Sequence, residues 1–304
     1  MKSINLRKIA EVTGGKLFGG REAAKTEVTN VVSDSRKAKE GSLFLCIPGE
    51  KTDGHKYAQM AYEAGAACCL MERKVRGYTG SYILVGSVKK ASQELAEYYR
   101  KSLDIKVVAI TGSVGKTSAK EFIAAVLSKS FKVHKTAGNF NNNIGLPRTI
   151  FTIAENAEAA VLEMGMNHAG EISYLTGIAR PTGAVITNIG EAHIGNLGSR
   201  ENIFKAKCEI FEGLTEGGFA ILNGDDPYLK RLRGDPDIAG RFRLIYVGEG
   251  EDCDFRAADI DDTLSESLRF TALTPMGTFP VTVPAIGRHL IYPALTAAAV
   301  GAEL

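Results

Sequence analysis

The chain has 304 residues, 44% of them hydrophobic and 24% charged, so it is long enough for two domains with separate cores. Its 37 basic and 35 acidic side chains leave a net charge of +2, which gives no electrostatic case for nucleic acid or a membrane surface as a partner. The N-terminus is too polar for a signal peptide and no apolar run approaches the ~20 residues that span a bilayer, so a cytoplasmic setting without membrane insertion is expected.

In chain order, Leu6, Ile9 and Ala10 fall at helical spacing. A strand is predicted at 43–47, a helix at 57–64, strands at 66–71 and 82–85, and a helix at 88–101. Together they make a small α/β domain over residues 1–103. The five cysteines (Cys46, Cys68, Cys69, Cys208, Cys253) are scattered and lack zinc-site spacing, which fits reduced core thiols.

A second domain, 104–304, alternates strands and helices: strand 106–110, helix 117–129, strand 131–134, helix 145–152, strand 159–164, helix 169–178, strand 183–189, helix 200–213 and strand 218–222. That alternation implies a mostly parallel, doubly wound sheet with its chemistry at the strand C-terminal ends. From about residue 243 the pattern changes, and 244–247, 267–272 and 278–283 read as an antiparallel edge extension. Residues 288–304 read as a helix in which the chain stops, so a chain cut short is expected.

The strongest motif is the strand ending in Thr111-Gly112-Ser113-Val114-Gly115-Lys116-Thr117-Ser118, followed by a helix. Such a turn aims backbone N–H groups and a helix N-terminus at phosphates, with Lys116 as a mobile cation and Thr117 able to ligate Mg²⁺. Gly112 and Gly115 are closer together than in the usual phosphate loop, which points to a subset of ATP-using enzymes.

Later strand ends carry polar clusters. Asn139, Asn141, Asn142 and Asn143 form an Asn-rich loop, readable simply as Asx turns with a helix cap at Asn143. Glu163 closes an apolar strand, as a Mg²⁺ ligand or as a capping or paired carboxylate. His193 lies in a Gly-flanked polar loop, where a metal role and a structural role are equally open. Lys205 and Lys207 read from periodicity as a solvated basic helix face.

With these strings the chain resembles the Mur ligases, the ATP-dependent amide-forming enzymes of peptidoglycan assembly. The phosphate loop carries the likeness together with Ser33 to Arg36, 49–55, Gly138 to Pro147, Glu163 to Ile172, Asn188 to Gly195 and Ala206 to Phe211. The Glu163-Met164-Gly165-Met166-Asn167-His168 string resembles the branch that adds D-Ala-D-Ala to UDP-MurNAc-tripeptide rather than the preceding diamino-acid-adding branch or the folylpolyglutamate synthases. The resemblance implies three domains: one binding the UDP end (1–103), one binding ATP (104–304), and a C-terminal domain that this chain lacks. It also implies a monomer, an acyl-phosphate intermediate, ADP release and two Mg²⁺ ions.

Carried over by position, Lys116, Glu163, His193 and Lys207 are the implied catalytic residues. Thr117, Glu163, His193 and a carbamylated Lys207 are the implied metal ligands. The run Thr111 to Ser118, with Asn142, is implied to hold ATP. Ser35, Arg36, Thr52, Asp53, His55, Asn139 and Asn141 are implied to contact the substrate. One departure concerns the nucleotide: where the family has an adenine-contacting Asn, this chain has Pro293. Pro293 has no side-chain donor or acceptor, so a fragment that binds nucleotide or UDP-sugar without turnover is the alternative to an active ligase.

Overall fold

The computed structural model describes residues 1–49 and 52–304, so Glu50 and Lys51 of the 49–55 string lie outside the described residues. The chain forms two compact units, Met1–Leu103 with Pro147–Glu155, and Asp104–Leu146 with Asn156–Leu304. Both are α/β.

The first unit runs β1 (Ile4–Asn5), α1 (Leu6–Val12), β2 (Lys16–Phe18), β3 (Glu27–Val28), β4 (Asn30–Val32), β5 (Ser42–Leu45), α2 (Ala58–Glu63), β6 (Ala66–Met71), β7 (Tyr82–Leu84) and α3 (Val88–Lys101). β1 pairs with β3, and the other strands form a sheet in the order β2-β7-β6-β5-β4. β6 lies at its centre as an almost continuously buried apolar run, as a strand covered on both faces must. It contributes Cys68 and Cys69 to the core, and all five cysteines are free thiols. α3 starts where the Ser87 side chain accepts the Lys90 N–H, and it buries Leu95 and Tyr99. The Tyr99 hydroxyl donates to the Ile153 carbonyl at 3.0 Å, and this contact in space groups 147–155 with a unit to which chain continuity did not assign it.

The second unit runs β8 (Lys106–Thr111), α4 (Lys116–Leu127), β9 (Val133–Lys135), the start of α5 (Gly145–Phe151, which from Pro147 belongs to the first unit), β10 (Ala159–Glu163), α6 (Glu171–Ala179), β11 (Gly183–Ile186), α7 (Ile194–Leu197) and α8 (Arg200–Cys208). It continues through β12 (Phe219–Asn223), α9 (Pro236–Ala239), β13 (Arg243–Gly248), β14 (Phe255–Asp261), β15 (Leu268–Thr274), β16 (Gly277–Val283) and α10 (Ile291–Glu303). The sheet order is β16-β15-β14-β13-β12-β11-β8-β10-β9. β8 is thus an interior strand, with β10 on one side and β11 on the other, and the loop that follows it opens where the strand order reverses.

Two expectations are corrected here. β13 is no antiparallel edge: it pairs parallel with both β12 and β14. β14 was not read from the sequence, because Arg256, Asp259 and Asp261 mask the burial of Phe255 and Ala257. The sheet turns antiparallel only at β14–β15 and β15–β16. The helix expected over 200–213 ends at Cys208 and continues as a tighter turn, Glu209–Glu212. Pro293 falls in the first turn of α10, where a missing N–H removes no intrahelical bond.

Candidate active site

β8 delivers the chain into a loop held by two glycines in the left-handed region, Gly112 (φ 149°) and Gly115 (φ 81°), the latter at the start of α4. The Ser113 N–H donates to the Asn188 carbonyl and the Val114 N–H to Asn188 Oδ1, each at 3.1 Å. Those two amides are therefore committed within the protein, which corrects the expectation that the whole turn faces a ligand. The donors left are the first N–H groups of α4, which no intrahelical carbonyl can serve and which sit at the positive end of the helix dipole. Lys116 Nζ folds back to donate to the Gly112 carbonyl at 2.7 Å. Burial lowers its ammonium pKa, and the Glu163 charge opposes that shift.

Glu163, the last residue of β10, is 3% exposed. Its Oε2 accepts from the Thr117 hydroxyl at 3.0 Å and its Oε1 from Asn141 Nδ2 at 2.9 Å. Its N–H donates to the Thr136 hydroxyl at 3.0 Å. The buried Lys120 donates to the Thr136 carbonyl at 2.9 Å and lies 3.9 Å from Glu163 Oε2. Lys120, Thr136 and Asn188 had no role in the sequence reading. A signal for Lys120 was its place four residues after Lys116, on the same helix face.

The asparagines divide in a way that the sequence did not show. Asn141 spends one of its Nδ2–H groups on Glu163. Asn139 is exposed, and its carbonyl accepts the Asn141 N–H at 2.8 Å. Asn142 Oδ1 accepts from the N–H groups of Ile144 and Gly145, so Asn142, not Asn143, caps α5 and its side-chain oxygen is spent there.

His193 is exposed at the start of α7 with φ 68°, and its ring makes no hydrogen bond among the described residues. Nor do those residues include a group of three or more His, Cys, Asp or Glu able to hold a metal. The adjacent Thr117 and Glu163 oxygens are nevertheless a hard donor pair. They suit Mg²⁺, which binds through one or two carboxylates and completes its shell with water and phosphate oxygens.

Lys207 on α8 is 1% exposed, which corrects the solvated-face reading. Burial, and secondarily the positive charge of Lys116, push its amine down to about 7. The unfolded chain keeps this proton up to the ordinary lysine value of 10.5, so stability rises with pH between about 7 and 10.5 and the burial cost is fully present below 7. Lys207→Met is expected to stabilise the chain at pH 6.5 by roughly 1–4 kcal/mol and to flatten that rise, as thermal unfolding across pH would show. A lower melting temperature for the variant would mean that the ammonium is held by favourable contacts.

In the first unit the implied substrate residues bond mainly to neighbouring protein groups. Arg36 is exposed and forms two hydrogen bonds of 2.9 Å with Asp34, which holds the Asp34 carboxyl down at about 2. Ser35 is buried, with its hydroxyl 3.4 Å from Met60 Sδ. The Thr52 hydroxyl lies 3.2 Å from the Tyr57 hydroxyl. His55 is 2% exposed: Nδ1 bonds Asp53 at 2.7 Å and Nε2 accepts the Glu72 N–H at 2.9 Å. Both ring nitrogens of His55 are therefore used, and Asp53 is also paired with Arg73. His55 thus braces this loop from within.

Beside the phosphate loop lies a cavity of about 560 Å³ whose walls include Val114, Ala119, Ile186, Val247, Tyr292 and Pro293. A family model described as the Mur ligase middle domain matches residues 110–301, and one described as the Mur ligase family catalytic domain matches residues 27–113. The chain belongs to the Mur ligase family. Among Mur ligases it is 41% identical over 299 residues to the UDP-N-acetylmuramoyl-tripeptide–D-alanyl-D-alanine ligase of Bacillus subtilis, covering 98% of this chain and 63% of that protein. MurF from Acinetobacter baumannii superimposes with a TM-score of 0.90 at 30% identity, covering 100% of this chain and 65% of that one. MurF from Thermotoga maritima, in complex with ADP, gives a TM-score of 0.80 at 29% identity over 89% of this chain and 62% of that one. The chain thus spans 63% of the length of the Bacillus relative.

Proposed function

We propose that this Mur ligase chain is the nucleotide- and UDP-substrate-binding part of an ATP-dependent, ADP-forming ligase that adds D-Ala-D-Ala to UDP-MurNAc-tripeptide. The observation that carries this is the buried Glu163 carboxylate hydrogen-bonded to Thr117 at the end of a phosphate loop, with a cavity of about 560 Å³ alongside. The first unit takes the UDP end and the second takes ATP. Cytoplasmic placement and a monomer belong to the same proposal, and no helix among the described residues is long and apolar enough to cross a membrane.

A carboxylate is a poor acyl donor. In the proposed reaction a carboxylate oxygen of the tripeptide attacks the γ-phosphorus, the bond to ADP breaks, and the amine of D-Ala-D-Ala then displaces phosphate from the acyl carbon and loses a proton. Most of the protein's task is charge neutralisation and alignment. The first N–H groups of α4 and Lys116 hold the phosphates, with Lys116 released from the Gly112 carbonyl. Thr117 and Glu163 would hold Mg²⁺, which supplies Lewis-acid polarisation of the phosphoryl oxygens. Lys120, Thr136 and Asn141 fix Glu163 in place.

Lys207 deepens the reading. A buried amine with a pKa near 7 has a substantial neutral fraction, and only the neutral form attacks CO₂. Nζ–C bond formation opens one C=O bond and releases a proton, turning a cation that repels Lys116 into a carboxylate that attracts it. That carboxylate, with His193, would serve a second Mg²⁺.

ADP release is expected only when UDP-MurNAc-tripeptide and D-Ala-D-Ala are both present, from the protein that carries this chain. Release that does not depend on the dipeptide would overturn the assignment. A chain that binds ATP and the tripeptide in calorimetry, while its parent protein releases no ADP, would instead establish a binding protein.

A further inference from the structure

His193 stands in the left-handed backbone region at φ 68°, which a residue with a Cβ keeps only where its surroundings over-determine it. It lies on an arm, residues 189–197, between β11 and α8. Both ends of that arm are tied to the first turn of α8. At one end Arg200 Nη2 donates to the Ile189 carbonyl at 2.5 Å, and at the other Asn202 Nδ2 donates to the Leu197 carbonyl at 2.7 Å.

The Ile189 end is the more closely held. Ile189 is buried, and its N–H donates to Asp226 Oδ2 at 2.7 Å, so side chains hold both its backbone polar groups. Asp226 Oδ1 also accepts the Tyr228 N–H at 2.9 Å, and the Arg200 guanidinium lies over the Tyr228 ring, 4.9 Å from its centroid. A planar guanidinium can rest on a ring and donate to a carbonyl together, which an ammonium does less well. The next residue reaches the phosphate loop: the Gly190 N–H donates to the Ser113 hydroxyl at 2.9 Å.

α8 also carries Lys207. Arg200 therefore joins the arm that bears His193 to the helix that bears Lys207, at a point bonded to the phosphate loop. We infer that Arg200, seconded by Asn202, is a positioning residue that fixes where His193 stands relative to the phosphate loop and Lys207. It acts through the Ile189 backbone. The inference rests on the ligase reading, in which His193 and Lys207 work together.

Arg200→Met keeps an unbranched stem and removes the donor. Hydrogen exchange at the bonded amides of the arm, Ile194, Leu197 and Gly198, is expected to speed up roughly tenfold, with α4 and the interior strands unchanged. In the protein that carries this chain, kcat for ADP release is expected to fall roughly tenfold to a hundredfold, the scale of a misplacement of about 1 Å. The KM for ATP should hold, because Asn188 and not Arg200 binds the loop amides. Arg200→Lys can reach the carbonyl without the planar contact to Tyr228, so it should recover part of both losses. Arg231→Met is the control: that guanidinium pairs with Glu201 on the same helix and lies over Phe204, so exchange in the arm and kcat should stay at wild-type values.

Faster exchange in the arm with an unchanged kcat would overturn the inference, because the place of the arm would not matter to the reaction. Unchanged exchange in a folded Arg200→Met variant would overturn it too, as would an equal fall in kcat for Arg231→Met. A wild-type protein that releases no ADP with both substrates present would overturn the ligase reading itself, and the inference with it.

Discussion

Glu163→Ala is expected to abolish ADP release and to destabilise the chain by about 1–3 kcal/mol, the cost of leaving buried hydrogen-bonding groups unsatisfied. Lys120, which is 2% exposed and 3.9 Å from Glu163, keeps Glu121 at 3.4 Å and the Thr136 carbonyl at 2.9 Å. The Asn141 amide and the Thr117 hydroxyl would lose their acceptors in the same step. Glu163→Gln keeps the shape and one acceptor, so it separates the two effects. It should fold with a smaller stability loss, yet remain as inactive as the alanine variant because a neutral amide is a poor Mg²⁺ ligand. Chemical denaturation and an ADP-release assay read the two effects independently. An active Glu163→Gln enzyme would remove Glu163 from the proposed metal site.

Gly112→Ala is expected to weaken ATP binding about a hundredfold while leaving most of the fold intact. At φ 149° a Cβ on residue 112 would fall 1.8 Å from Thr187 Oγ1 and 3.0 Å from Thr187 Cβ. Thr187 cannot simply rotate away, because its hydroxyl donates to the Val114 carbonyl at 2.5 Å, inside the same loop. Relief must therefore come from the loop backbone, which carries the Lys116 anchor at the Gly112 carbonyl. Gly177→Ala is the control: it sits in α6 with nothing within 4 Å of its Cβ position, so it should bind ATP normally and unfold no earlier. Calorimetry on the two variants checks the contrast. Normal ATP affinity in Gly112→Ala would show that the loop tolerates distortion and does not hold the phosphates tightly.

Part of this architecture is visible in the residues themselves. Ala66–Met71 and Val88–Lys101 have the bounds that apolar run length and helical spacing imply. β8, α4 and β10 follow from an apolar strand, a glycine turn and a periodic helix, all of them local signals. β14 escaped because its charged residues break the two-residue alternation on a strand that is only partly buried. The parallel pairing of β13 escaped because strand direction depends on a neighbour distant in sequence.

The candidate site divides in the same way. Lys116, Thr117 and Glu163 could be named from the sequence because phosphate chemistry demands those residue types at strand ends and helix starts. Their partners could not. That Asn188 consumes two loop amides, that Lys120 is the buried counter-charge of Glu163, and that Asn141 and Asn142 serve the protein itself are long-range hydrogen bonds which no spacing encodes.

By itself, then, the sequence determined the α/β class, the phosphate loop, the family, and the departure at Pro293. Only the tertiary structure decided which of the polar groups in those motifs are spent and which are open. It buried Lys207 against the charge of Lys116, engaged both ring nitrogens of His55 inside the protein, and committed Asp225 and Asp226 beside the phosphate loop to backbone N–H groups. The physical reason is that residue type fixes what a group can donate or accept, while burial and the partners brought to it by folding fix whether that capacity is left for a ligand.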